Sequence, residues 1–294
     1  MGNADAQNNI GDCYYDEKGV SRDYKMALSY YSKAVQQGHA DAQCNIGICF
    51  YYGDGISKNY DKALMWFQKA ADQGNARGQY YLGECYLYGR GVSKDYSIAK
   101  KWYDKAVSQG NDDAMLSIGW LYDEGLGVNN DYKEAVKWYT KAADKGNANA
   151  IHNLATCYRY GNGVTKSTAK AKELYKKAIA LNYKDAQSEL NEMEREEKEA
   201  LQKKKQAEEN KAYIIKYYGK DQWALIEKIA DGECTIFSKG IKKSLLENEF
   251  LSQMGAYLVY VRGSLYGDLY YVKKNGYTQM KIYFKNGRLV HWEY

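Results

Sequence analysis

The chain has 294 residues, a formal net charge of +5, 32 tyrosines and no proline. That length suits one extended array or two ordinary domains, and so mild a positive charge does not make nucleic acid the default partner. No apolar run approaches the ~18 residues of a membrane span, and the opening MGNADAQNNI lacks the basic head and apolar stretch of a secretion signal.

From Gly2 the sequence repeats itself every 36 residues, with copies opening at Gly2, Gly38, Gly74, Gly110 and Gly146 and a partial sixth at Asn182. A fixed period in this range is the mark of a solenoid. Each copy begins with a helical pattern. Small residues recur at Ala6, Ala42, Gly78, Ala114 and Ala150, and apolar ones at Ile10, Ile46, Leu82, Ile118 and Leu154. Aromatic residues follow at Tyr14, Phe50, Tyr86, Tyr122 and Tyr158, so steps of four put all three columns on one face. A loop comes next, marked by Gly19, Gly55, Gly91, Gly127 and Gly163.

A second helix opens on Asp23, Asn59, Asp95, Asp131 or Ser167, all N-cap residue types worth ~1 kcal/mol over alanine. It repeats Ala27, Ala63, Ala99, Ala135 and Ala171, with Tyr30, Trp66, Trp102, Trp138 and Leu174 as its large apolar column. Lys33, Lys69, Lys105, Lys141 and Lys177 stand near its end, where the helix dipole favours positive charge, and the next copy's glycine closes it. One such unit cannot bury its own apolar faces, so stacking must supply the core.

Val92, Asp95, Ala99, Trp102, Tyr103 and Lys105 occupy the places of a pattern that resembles the Sel-1-like repeat, a relative of the tetratricopeptide repeat. The likeness recurs five times and covers roughly Gly2 to Leu190. It departs after the loop valine, where the family often has proline and this chain has Ser21, Ser57, Ser93, Asn129 and Thr165. The resemblance implies a right-handed α/α superhelix and an adaptor that holds other proteins, with no enzyme activity and no cofactor.

Cys13, Cys49, Cys85 and Cys157 share a column in which the fourth copy has Leu121, so the position is read as apolar filler. All six cysteines, Cys44 and Cys234 included, are expected to be reduced thiols in a cytoplasmic compartment. No Cys-x-x-Cys pair suggests a metal. YGRGVSKD lacks the Gly-Lys-Ser/Thr ending of a phosphate loop and reads as a turn. His39 takes the place of Asn75, Asn111 and Asn147 and reads as a polar loop residue.

The first-helix columns that vary between copies are the candidate binding surface. By similarity to tetratricopeptide arrays they line a concave groove, with Tyr51, Tyr52, Tyr80, Tyr88, Trp120 and Tyr160 as aromatic anchors and Asp41, Glu84, Asp113 and Glu124 nearby. Aromatic anchors suit protein hot spots, and the acids favour a protein or peptide partner with basic residues.

Residues 191–212 predict a charged, solvated helix, since Met193 and Leu201 are too few for a heptad seam. Residues 213–294 predict a small α+β domain of two helices and about three antiparallel strands, with Asn275-Gly276 and Asn286-Gly287 as hairpin signals. The basic strand residues Lys273, Lys274, Lys281, Lys285 and Arg288 read as solvated faces. An alternative makes the repeats a targeting scaffold and gives this last domain a ligand or an activity. The opening at a repeat boundary predicts a fragment, or an array without an ordinary N-terminal cap.

Overall fold

A computed structural model describes residues 2–218 and the strands 256–264, 267–274, 277–285 and 288–293. The chain divides into two compact units, Met1–Glu194 and Arg195–Tyr294. In the first, ten helices form five pairs: α1 (Ala4–Asp16) with α2 (Tyr24–Val35), α3 (Ala40–Tyr52) with α4 (Tyr60–Asp72), and α5 (Ala76–Tyr88) with α6 (Tyr96–Ser108). The last two pairs are α7 (Asp112–Glu124) with α8 (Tyr132–Asp144), and α9 (Ala148–Tyr160) with α10 (Thr168–Ala180). Each pair packs on the next, giving the expected helical solenoid.

The caps fall where the repeat columns place them. Asp23, Asn59, Asp95, Asp131 and Ser167 each accept a backbone N–H from the first turn of a second helix. First helices are capped too, by Asn3, His39, Asn75, Asn111 and Asn147. His39 is therefore a cap rather than a mere loop residue: its Nδ1 accepts the Ala42 N–H at 3.1 Å.

The core departs from the sequence expectation by one residue. Tyr31, Phe67, Tyr103, Tyr139 and Tyr175 are the fully buried aromatics of the second helices. Trp66, Trp102 and Trp138, one position earlier, are half-buried and carry the lysine column over their rings. Glycine makes this possible. A Cβ on Gly47 would stand 2.6 Å from the Phe67 ring, and one on Gly83 2.5 Å from the Tyr103 ring. The missing side chain thus lets each ring lie against the first helix.

In the first repeat Ile10 is 40% exposed, while its counterparts Ile46, Leu82, Ile118 and Leu154 are buried. At the other end α11 (Ala186–Tyr218) begins as the first helix of a sixth repeat. Ala186, Leu190 and Met193 continue the Ala6, Ile10 and Cys13 columns and are buried against the last pair. The charged helix expected over 191–212 is the continuation of α11.

The second unit contains a four-stranded antiparallel sheet in the order β1 (Ala256–Ser264), β2 (Gly267–Lys274), β3 (Tyr277–Lys285), β4 (Arg288–Glu293). About three strands were expected. The fourth arises because the longest strand-like segment divides at the Asn275-Gly276 pair and its halves pair with each other. The two helices expected within 217–255, apart from the end of α11, and Cys234 lie outside the described residues.

Candidate functional site

The first helices α1, α3, α5, α7 and α9 present the columns singled out in the sequence, and their side chains fall into two groups. One group is tied into the array. Tyr31 donates its hydroxyl hydrogen to Asp12 at 2.8 Å, Tyr103 to Glu84 at 2.6 Å and Tyr139 to Asp123 at 3.0 Å. The Tyr175 and Thr156 hydroxyls meet at 3.0 Å. Phe67 has no hydroxyl, and the residue at its contact position is Ile48. At this position Asp12, Glu84 and Thr156 answer a tyrosine and Ile48 stands opposite a phenylalanine, while the fourth copy holds Trp120 and Tyr139 turns instead to Asp123 three positions on.

Asp41 and Asp113 are exposed but engaged by the cap of the following repeat. Asn75 donates to Asp41 at 2.6 Å, and Asn147 donates to Asp112 and Asp113 at 2.9 and 3.0 Å. His39 Nε2 stands 2.9 Å from Asp5 in the same arrangement. Between the first two repeats, Asn45 donates to Asn8 and Asp12, both at 3.0 Å, and accepts from Arg77 at 2.9 Å. A polar cleft of about 120 Å³ lies there, lined in part by Asp12, Tyr15, Asn45 and Arg77. Burial raises the Glu84 carboxyl above its usual range, against the Tyr103 hydrogen bond.

Tyr51 is only 2% exposed. Its ring packs edge-on against Tyr52, Tyr60, Phe67 and Tyr81 at 5.0 to 6.0 Å. Arg90 donates to its hydroxyl and spreads over the Tyr51, Tyr60 and Tyr88 rings at 4.7, 5.4 and 4.8 Å. Tyr80 is half-buried beside Tyr81 and Tyr103, and Trp120 is half-buried within the next aromatic cluster. Arg90 and Tyr81 were not singled out in the sequence. Arg90 stands 39 residues after Tyr51, as Asp54 does after Tyr15, whose hydroxyl donates to it at 2.6 Å. That offset, one period plus three, is the signal that reading down single columns passes over.

The second group is open. Tyr52, Tyr88 and Tyr160 are 53%, 49% and 58% exposed. Asp16 and Glu124 share their column and are exposed as well. One side chain per repeat is therefore exposed at the end of each first helix, with Lys18 paired to Asp16 and Arg90 and Arg159 beside the Tyr88 and Tyr160 rings.

The thiols Cys44, Cys49, Cys85 and Cys157 are buried and free, and burial pushes each up to about 12. They are protonated at neutral pH, as filler in the helix pairs should be. Among the described residues no group of three or more His, Cys, Asp and Glu side chains is placed to hold a metal. No described helix is long and apolar enough to cross a membrane.

Stacked helix pairs on one 36-residue period, whose first helices carry a variable exposed row, define a helical-repeat scaffold. The Sel1 repeat profile matches residues 4–39, 40–75, 76–111, 112–147 and 148–183, more than half of the chain. The chain belongs to the Sel1 repeat family, whose members are generally protein-interaction scaffolds. It is similar to a Sel1 repeat protein from Oxalobacter formigenes at 37% identity and a TM-score of 0.58, over 64% of this chain and 75% of that one. It is also similar to a protective antigen of uropathogenic Escherichia coli with an SLR fold, at 34% identity and a TM-score of 0.54. That match covers 64% of this chain but only 40% of the antigen, so the likeness spans less than half of the longer protein. No curated protein matches the sequence.

Proposed function

We propose that the chain is a non-enzymatic adaptor whose first-helix face binds an extended segment of a protein partner carrying basic residues. The supporting observation is the open column Asp16, Tyr52, Tyr88, Glu124 and Tyr160: three tyrosines and two acids, all exposed, at one helical position per repeat. Tyr51 of the neighbouring column is enclosed, whereas these side chains are exposed. Tyrosine offers a large rigid contact at low entropic cost, and a carboxylate in the same row favours lysine or arginine on the partner. A segment lying along the row meets one anchor per repeat.

Affinity capture with the full chain, beside a Tyr52→Ser, Tyr88→Ser, Tyr160→Ser variant, tests this reading. Loss of about 2 kcal/mol of binding, roughly thirtyfold, is expected for removal of such anchors. A variant with an unchanged circular dichroism spectrum that captures the same partners at the same level would refute it.

A further inference from the structure

The second helices of the first two repeats leave a cavity of about 570 Å³ between α2 and α4, with Ile46 and Phe50 of α3 behind it. Leu28, Ile56, Met65 and Trp66 complete its apolar lining, and the exposed Lys25 and Lys62 stand at its rim. Met65 is 44% exposed.

The repeat fold does not require an apolar groove there. Two periods later the counterparts of Leu28 and Ser32 are Lys100 and Asp104, an ion pair at 3.0 Å. Lys100 reaches over Tyr122 at 5.9 Å from its centroid, as Lys62 does over the groove's Phe50 at 5.3 Å, so the difference lies in the ion pairs and not in a lysine over the ring. The counterparts of Lys62 and Met65 are Glu134 and Lys137, paired at 2.7 Å. One period further on, the same two positions hold Lys170 and Glu173, again paired, at 3.0 Å. Between the third and fourth repeats these positions are closed by ion pairs, whereas here they hold leucine and methionine; between the second and third they hold Leu64, Gln68, Ile98 and Lys101.

We infer that this groove is a second docking surface, for an acidic amphipathic segment of a partner protein. Charge complementarity selects that occupant. The lining contains two lysines and no carboxylate, and the nearby Asp23 is turned to the Lys25 and Met26 backbone N–H groups. A helix or strand placing Leu, Ile or Phe in the groove brings flanking Asp or Glu against Lys25 and Lys62. This surface is separate from the first-helix face and takes a partner of opposite charge.

Selection of a random peptide display library on the full chain, counter-screened on a Leu28→Lys, Met65→Lys variant, tests the inference. The selected peptides are expected to combine Asp or Glu with Leu, Ile or Phe. Their synthetic forms are expected to bind the variant about tenfold or more weakly, the loss typical of removing anchor contacts. Lys25→Glu with Lys62→Glu, both at exposed positions, is expected to produce a similar loss and decides the matter if the first variant fails to fold. The Tyr52, Tyr88 and Tyr160 variant is expected to bind these peptides normally, so the two surfaces fail or succeed separately. Peptides without acidic enrichment, or equal binding by wild type and the folded variants, would overturn the inference. So would a concentration-dependent dimer that the groove variants abolish, which would make a second copy of the chain the occupant.

Discussion

Repeats 2 and 3, residues 40–75 and 76–111, have the same backbone and different interiors. In both, a first-helix glycine admits the second-helix ring, and an asparagine or aspartate caps the second helix. Behind that common frame, repeat 2 sets Phe67 toward Ile48, whereas repeat 3 sets Tyr103 against Glu84 at 2.6 Å. Frame and lining obey different rules. The frame is dictated by sterics and tolerates little, while the lining is a set of local pairs that can be exchanged if both members change.

The largest effect should fall on the frame. Gly47→Val and Gly83→Val each drive a side chain into a buried ring, and each is expected to cost about 3 kcal/mol, read by urea unfolding of the full chain. Near-equal losses would establish the common frame, and a tolerated valine in either repeat would break it.

Exchanging the linings should have a smaller effect and a larger diagnostic value. Phe67→Tyr brings a hydroxyl toward Ile48 and is expected to cost about 2 kcal/mol as an unpaired buried group. Adding Ile48→Glu recreates the repeat 3 pair, and a favourable coupling of about 1 kcal/mol in the double-mutant cycle is expected. Strict additivity would show that the two positions do not answer each other.

The repeat 3 pair also predicts a pH dependence that repeat 2 lacks. Burial raises the Glu84 carboxyl in the folded state, so between its unfolded and folded values the native protein binds more protons than the unfolded chain. Glu84 therefore favours folding below its unfolded value, and that contribution is lost as pH rises through the folded one. Glu84→Gln, which keeps an acceptor for Tyr103, is expected to raise stability at pH 7 relative to wild type. The gain should vanish toward pH 4, as measured by denaturant midpoints across the range. A gain that persists unchanged at low pH would assign the effect to packing.

The smallest difference lies outside the core. Lys105 sits 3.7 Å from the Trp102 ring centroid and Lys69 4.4 Å from that of Trp66. At such exposed sites a cation over an indole contributes about 0.5 kcal/mol, so Lys105→Ala is expected to cost that much and Lys69→Ala somewhat less. Thermal melts of the two variants at low and high salt would order them.

Much of the fold was legible because its determinants lie within one period. The cap at Asp95 acts on the Ile98 N–H three positions on, whereas Gly91 recurs in every copy and so is legible although it faces the Tyr60 backbone of the preceding repeat. The closing glycine Gly110 takes a φ of +84°, as a helix terminator should. Which of the neighbouring rings Trp102 and Tyr103 is fully enclosed was not legible. One residue turns a helix by about 100°, and both rings are large and apolar enough to satisfy the pattern.

The candidate site was legible as a face and much less so as a set of free side chains. Tyr51 and Tyr88 look alike in sequence, yet Tyr51 is enclosed by four rings and Tyr88 is open. The sequence alone determined the period, the helix pairs, the caps of the second helices and the thiol-or-hydrocarbon column, because backbone geometry and helical periodicity act locally. The tertiary structure decided which side chains of the variable columns remain available. Tyr15 with Asp54, Tyr51 with Arg90 and Asn147 with Asp113 join different columns across a repeat boundary. Such pairs form only once stacking brings residues more than thirty positions apart to within a hydrogen bond.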